Sequence, residues 1–158
     1  KTVLKNCKLL AEAGFKDHVS VNYSFNVIDE RPETISQTVS YHRALEKIFG
    51  VNKVEPAIFF IGLQPHTLLE EYGFEKGLIN KGYNPMSMMP WTARKLLWNP
   101  EPMGKTFGRI CLEAFDTNPN DFGRTVMDLL ERDYGASPLE EALTVSKNEP
   151  PALTKALR

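Results

Sequence analysis

Hydrophobic and polar residues alternate over residues 19–28, and this alternation predicts a β-strand with one apolar and one small polar face. A polar face suits a strand that lines a hydrated site, although a half-exposed antiparallel strand would show the same pattern. Residues 57–63 form an unbroken apolar run about one strand long. An uninterrupted run of this length predicts a strand that is buried on both faces, as the strands of parallel sheets are.

Helical patterns flank these two strands. Residues 1–13 predict an amphipathic helix that ends at Gly14, and residues 32–49 predict a second helix that begins with Pro32 and ends at Gly50. The apolar face of the first helix is expected to carry Val3, Cys7 and Leu10. Alternation of helices and strands argues for parallel strands joined by crossovers. Two strands alone do not make a stable parallel sheet, so the partner strands are expected outside this chain.

Each predicted strand ends in a polar corner that leads into a helix. Glu30 follows the first strand, and Gln64 and His66 follow the second, where Thr67 and Glu70 have the spacing of a capping box. Parallel α/β sheets carry their chemistry where strands end and helices begin, so these corners hold the candidate functional residues. The Glu30 carboxylate would either hold an amino group or hydroxyl, or cap backbone amides, and the sequence favours neither.

The second half of the chain has a different character. The patterns predict a long loop at 80–90 and helices at 91–98, 103–115 and from Asn118 to Gly135, followed by a helix start at 137–140. Aromatic side chains surround the loop, and they either pack a helical cap onto the sheet or form the walls of a hydrophobic pocket. The aromatic set comprises Tyr72, Phe74, Tyr83, Trp91, Trp98, Phe107 and Phe115.

Composition narrows the classes of function. The 158 residues carry a formal net charge of −1, so no nucleic-acid or acidic-membrane surface is indicated, and no apolar run reaches transmembrane length. Two cysteines and three histidines far apart in the sequence predict neither a disulfide framework nor a metal site, and thiols of a cytoplasmic protein are expected. Gly104-Lys105-Thr106 resembles the end of a nucleotide-binding loop, but Asn99 occupies the position of its first Gly.

The two corners resemble a known family. Residues 25–34, FNVIDERPET, resemble the strand-to-helix corner of radical S-adenosylmethionine (SAM) enzymes, in which a Gly-rich strand end precedes Glu-Thr-Pro-Glu-Thr. Residues 60–79 are similar to the next strand of these enzymes, which is followed by Pro-Gly-Thr-Pro-Leu, a helix and Glu-x-Gly-Leu-Ile. The resemblance covers residues 3–79 and is to the subgroup with an N-terminal cobalamin-binding domain, while residues 83–134 look like a family-specific extension.

This resemblance implies an α/β fold, namely the C-terminal portion of a parallel (β/α) partial barrel followed by a helical extension. In the family, an iron–sulfur cluster held by CxxxCxxC cysteines binds and cleaves SAM, and the resulting radical attacks a small-molecule substrate. By resemblance, Asn26 and Glu30 would contact SAM, and Gln64, His66 and Thr67 would border the substrate. Cobalamin in the parent protein is compatible with the resemblance.

The chain also departs from the family pattern. It has no CxxxCxxC motif, so the cluster ligands are expected elsewhere in a parent polypeptide, and the uncapped start of the first helix favours a fragment. Asn26 and Asp29 occupy Gly positions, and Gln64-Pro65-His66 replaces Pro-Gly. The alternative is a non-catalytic binding or protein-interaction module on a degenerate barrel. The expected divisions are the end of the barrel at 1–80, the extension at 81–146 and a flexible tail at 147–158.

Overall fold

The computed structural model describes residues 2–79 and 97–137, and within them the chain forms the α/β fold that the sequence predicts. The elements are α1 (Thr2–Glu12), β1 (Val19–Phe25), α2 (Pro32–Phe49), β2 (Val54–Gly62), α3 (Leu68–Glu75), β3 (Leu97–Trp98), α4 (Met103–Thr117) and α5 (Phe122–Tyr134). Short 3-10 turns at Val51–Lys53 and Pro119–Asp121 lead into β2 and α5.

The sheet is built on the parallel pair β1 and β2, which α2 connects. The register runs from Val19 opposite Val54 to Phe25 opposite Phe60. Strand β2 continues beyond the end of β1, and there Ile61 pairs antiparallel with Trp98 of the short strand β3. The strand order is β1-β2-β3, so in the described part of the chain no strand lies along the outer edge of β1.

The main core lies on one face of this sheet. Alternate side chains of β1, led by Tyr23 and Phe25, pack there against three helices. The buried residues that α2, α4 and α5 contribute are Ile35, Val39, Phe107, Ile110, Ala114, Val126, Met127 and Leu130. Helix α1 does not join this cluster, because its buried residue Leu4 packs against Leu45 of α2 and Val54 of β2.

The opposite face of the sheet is largely uncovered. Ser20, Asn22 and Ser24 of β1 are exposed there, and Phe59 of β2 is 50% exposed. At the end of β2 a third cluster covers this face, in which Ile61 packs with Leu63 and Trp98. The helices of the main core therefore leave a small polar strip of the sheet open to solvent.

Two strand predictions need correction. Strand β1 ends at Phe25 and not at residue 28, because Asn26 takes a left-handed backbone conformation with φ 56° that breaks the extended chain. Strand β2 begins at Val54 and is not buried on both faces, since the exposed Phe59 points away from the helices. An apolar run therefore did not guarantee a covered strand here.

Two helix predictions also need correction. Leu97–Trp98 is a strand and not the end of a helix, and the rest of the helix predicted at 91–98 lies outside the described residues. In α1 the buried side chain is Leu4, while Val3 and Leu10 are 59% and 46% exposed.

The predicted α2 is confirmed at both ends. The loop at 80–90, the helix start at 137–140 beyond Ser137, and the tail at 147–158 lie outside the described residues.

Candidate functional site at the carboxyl edge of the parallel strands

The two polar corners leave the sheet from the same edge. Because β1 and β2 are parallel and Phe25 lies opposite Phe60, the chain after each strand emerges at the carboxyl end of the pair. The predicted cofactor residues lie in the corner between β1 and α2, and the predicted substrate residues lie in the corner between β2 and α3. The topology therefore places both predicted groups at one edge of the sheet.

Asn26 is buried at this edge, and its side chain ties the end of β1 to the segment that precedes α4. The residue is 3% exposed, and its Nδ2 donates to Oδ1 of Asn99 at 2.6 Å and to the carbonyl oxygen of Pro100 at 3.0 Å. Asn99 in turn donates its Nδ2 to the carbonyl oxygen of Gly104, at 3.1 Å. The Asn26 amide therefore has protein partners that fix the start of α4.

Glu30 organises the first corner from within. Its Oε1 accepts a hydrogen bond from the Thr34 hydroxyl at 2.5 Å, and the backbone N–H groups of Val27 and Asn26 also donate to the carboxylate. Burial raises the pKa of the Glu30 carboxyl, although these three donors act in the opposite direction. Capping of backbone amides, one of the two roles left open by the sequence, is therefore observed.

The second corner presents its side chains to solvent. Gln64 and His66 are exposed, and the His66 N–H donates to Oε2 of Glu70 at 2.8 Å. The Thr67 hydroxyl accepts from the Glu70 N–H at 3.4 Å and donates to the Gln64 carbonyl oxygen at 2.8 Å. Thr67 is thus the helix cap that the sequence predicts. The side chains left to meet a ligand are those of Gln64 and His66.

The backbone is strained at this edge. Asn26, Asp29 and His66 have φ values of 56°, 62° and 60°, and these are the non-glycine residues with positive φ among residues 2–79 and 97–137. The left-handed conformation costs most side chains roughly 1–2 kcal/mol, and Asn and Asp tolerate it best. Strained residues concentrate at ligand sites in folded proteins, so their position marks this edge as the candidate site.

No metal centre is formed by the described residues. Within 2–79 and 97–137, no group of three His, Cys, Asp or Glu side chains has an arrangement that could hold a metal ion. Cys7 lies on α1 and Cys111 on α4, both partly buried, and burial raises the pKa of the Cys111 thiol. These residues do not fit an iron–sulfur cluster, which needs several thiolate ligands at one point.

Among the described residues, the aromatic side chains do not converge on one pocket. Phe107 belongs to the main core, with its ring centroid 5.2 Å from that of Phe25. The Trp98 ring lies 6.1 Å from Tyr72 in the cluster at the end of β2, and the Trp98 indole N–H is buried without an acceptor in the described part of the chain. Phe74 and Phe115 are 45% and 62% exposed. Tyr83 and Trp91 lie outside the described residues.

Sequence reasoning missed a buried polar cluster between β1, α2 and α5. His42 is fully buried, and its Nδ1 lies 3.1 Å from the Tyr23 hydroxyl and its Nε2 3.4 Å from Oε1 of Glu46. Arg43 and Arg124 approach the same Glu46 carboxylate at 2.8 and 3.9 Å. The i, i+4 spacing of His42 and Glu46 next to an apolar stripe was the available signal. His42 and Glu46 are buried, and Arg43 and Arg124 at 23% side-chain exposure lie at the border of the cluster, which joins α2 to α5.

No helix of the described residues is long and apolar enough to cross a membrane. Comparison of the chain with protein-family models, with curated proteins and with solved structures finds no match.

Proposed function

We propose that this chain is part of a radical SAM enzyme and that the carboxyl edge of β1 and β2 borders SAM and the substrate. The observation that carries the proposal is the backbone at the two corners. Asn26 and Asp29 stand, by resemblance, where the family has Gly, and both have the positive φ that favours Gly. His66, in the corner that replaces Pro-Gly, has it as well. The left-handed backbone at these positions supports a chain path at both corners like that of the Gly-containing corners of the family.

The open side of the sheet supports a place in a larger barrel. Strand β1, VSVNYSF, contains no charged residue and no Pro, which are the usual means of protecting a sheet edge. Val3, Leu9 and Leu10 of α1 are also roughly half exposed. In this proposal, further strands and helices from the rest of the parent polypeptide cover both surfaces. The uncovered strip of Ser20, Asn22 and Ser24 then faces the barrel interior.

The residues at the edge take different roles in this proposal. Asn26 and Glu30 form the cofactor wall, where the Glu30 carboxylate faces the ammonium group of SAM while it holds its own corner. Gln64 and His66 border the substrate, and Thr67 keeps their corner in place by capping α3. The iron–sulfur cluster, and cobalamin if the parent uses it, would bind outside this chain.

Binding of SAM to the 158-residue chain tests the proposal. Isothermal titration or ligand-observed NMR should detect weak binding, and Glu30→Gln should weaken it at least fivefold because the ammonium group loses an ionised partner. The matched control is Glu33→Gln, since Glu33 is an exposed acid in the first turn of α2. Binding should also weaken on acidification, starting above the usual carboxyl range because the pKa of Glu30 is raised. Absence of SAM binding, or equal effects of the two variants, would refute the proposal.

A second class of function has a specific observation in its favour. The most exposed large apolar side chains of the described residues are Leu112 and Phe115 on α4, away from the candidate site. Such a face suits a protein-interaction module. A chain that binds no SAM but associates through α4 would favour this second function.

A further inference from the structure

Helix α4 presents a solvent-facing side opposite its buried stripe of Phe107, Ile110 and Ala114. Leu112 is 68% exposed at the centre of this side, and Lys105 has 88% of its side chain exposed. This side of the helix is open to solvent. We call it the outer face of α4, and its residues are Lys105, Gly108, Arg109, Leu112, Glu113 and Asp116.

The order of charges along the outer face is unfavourable for the dipole of α4. A helix is stabilised by acidic residues near its N-terminus and basic residues near its C-terminus. Here Lys105 lies in the first turn and Asp116 near the end, and α4 has no acidic residue in its first turn and no basic residue in its last. This order of charges is therefore not explained by stability of the isolated helix.

Arg109 and Glu113, in the middle of the outer face, already have charged partners on α5, whereas Lys105 and Asp116 at its two ends do not. Arg109 bonds Glu113 at 3.0 Å and also contacts Asp133, and Arg132 contacts Glu113. Lys105 reaches Glu101 only at 4.0 Å, and Asp116 makes no ion pair within the described part of the chain. Lys105 and Asp116 are thus the charges that remain for a partner.

We infer that the outer face of α4 pairs with the same face of a second copy of this chain, with the two helices antiparallel. A two-fold axis midway between residues 110 and 111 maps the face onto itself. Lys105 then lies opposite Asp116 of the second copy, Arg109 opposite Leu112, and Gly108 opposite Glu113. Antiparallel pairing joins the basic end of one face to the acidic end of the other, and it also opposes the two helix dipoles.

The contact is sterically open at its centre. Leu112 lies about 2 Å from the two-fold axis along the helix, at a rise of about 1.5 Å per residue, so the two Leu112 side chains meet. Gly108 has no heavy atom within 4 Å of its Cβ position. Phe115 lies at the border of the face and is exposed, so it extends the apolar contact. Leu112 is therefore the apolar side chain of this face nearest the axis, and Gly108 leaves room beside it.

The expected association is weak, because the face has far fewer residues than the roughly 20–30 per partner of a standard interface. Sedimentation velocity of the 158-residue chain from 5 to 500 µM should show a monomer–dimer equilibrium. Leu112→Arg should weaken it at least tenfold, because residue 112 of each copy would then place a second guanidinium opposite Arg109 of the other copy. Leu9→Arg is the matched control, since Leu9 is similarly exposed on α1 and should leave the equilibrium unchanged.

A charge exchange tests the antiparallel arrangement without touching apolar residues. Lys105→Glu alone should weaken the dimer, because residue 105 would then face Asp116 of the second copy, and adding Asp116→Lys should restore it. Circular dichroism checks that each variant is folded. A chain that stays monomeric up to 500 µM, a dimer insensitive to Leu112→Arg, or a double variant no better than Lys105→Glu would overturn the inference. The inference concerns α4 alone and stands or falls independently of SAM binding.

Discussion

The Nε2 atom of His42 lies 3.4 Å from Oε1 of Glu46, one helical turn further along α2, and neither atom has a hydrogen-bond partner in the described part of the chain. Both side chains are buried, at 0% and 5% exposure. Because the Glu46 carboxylate lies on the Nε2 side and the Tyr23 hydroxyl can donate to Nδ1, this environment favours a neutral imidazole with its proton on Nε2. Arg43, Arg124 and Asp128 also face the histidine, so the charge state of His42 is coupled to charged side chains of both α2 and α5.

This environment predicts a loss of stability in mild acid. Burial lowers the pKa of His42, with Arg43 and Arg124 acting in the same direction and Glu46 opposing them. Because the unfolded chain binds the proton more readily, the free energy of unfolding should fall as pH drops below about 6.5, until the lowered pKa is reached. Denaturant titrations between pH 7.5 and 5 measure this fall.

His42→Phe should remove that part of the pH dependence, while His18→Phe, at an exposed position, should leave it intact. Glu30 acts in the opposite sense, since a raised carboxyl pKa favours the folded state as pH falls toward its usual value. The comparison is therefore made between variants at each pH. An unchanged slope in His42→Phe would show that another group is responsible.

Arg43 is predicted to be worth much more to stability than an exposed arginine. It contacts Glu46 at 2.8 Å and also contacts Asp128 and Glu131 of α5. Arg43→Met leaves the buried Glu46 carboxylate with only a distant cation, so we expect a loss of about 3 kcal/mol of unfolding free energy. Arg109→Met, in a network that is half exposed, should cost less than about 1 kcal/mol. Equal losses in urea titrations would contradict this assignment.

Gly123 is predicted to tolerate no side chain. A Cβ at this position would lie 1.8 Å from the carbonyl oxygen of Pro56, so α5 and β2 approach each other through bare backbone. Gly123→Ala should therefore lower the free energy of unfolding by about 3 kcal/mol, since neither backbone can yield easily. Gly108→Ala is the control, because its Cβ meets open space and helix propensity alone should add about 0.5–1 kcal/mol. A harmless Gly123→Ala would mean that the two elements are further apart.

Asn26 is predicted to hold the carboxyl edge together. Asn26→Ala removes the hydrogen bonds to Asn99 and Pro100 and places Ala at φ 56°, so a loss of about 2–3 kcal/mol is expected. Asn22→Ala, at an exposed position of β1, should change stability by no more than about 0.5 kcal/mol. Thermal unfolding followed by circular dichroism distinguishes the two, and equal effects would show that the Asn26 amide is dispensable.

The local elements were predictable where short-range signals agree. Pro32 and Gly50 marked the ends of α2, and Thr67 with Glu70 marked the start of α3, because caps depend on residues a few positions apart. The end of β1 was missed because Asn26 can occupy either an extended or a left-handed conformation. Its choice depends on acceptors at Asn99 and Pro100, more than seventy positions away.

The candidate site likewise has features that the sequence predicted and features that only the fold shows. Sequence reasoning placed Glu30, Gln64 and His66 at strand ends, and the parallel register brings those ends to one edge. It could not show that the Glu30 carboxylate already accepts from Thr34 and from backbone amides, since that depends on the fold of the corner. The approach of Arg124 to the buried Glu46 carboxylate was equally hidden, because it depends on how α5 packs against α2.

The sequence by itself determined the α/β class, the polar corners and the ends of most helices, because periodicity and capping act within one or two turns of chain. Tertiary structure alone decided which strand face is covered, where β3 pairs, and which polar groups are buried. Phe59 shows the reason most simply. Its apolar neighbours predict burial, but burial requires a partner element, and the helices α2, α4 and α5 all pack on the opposite face.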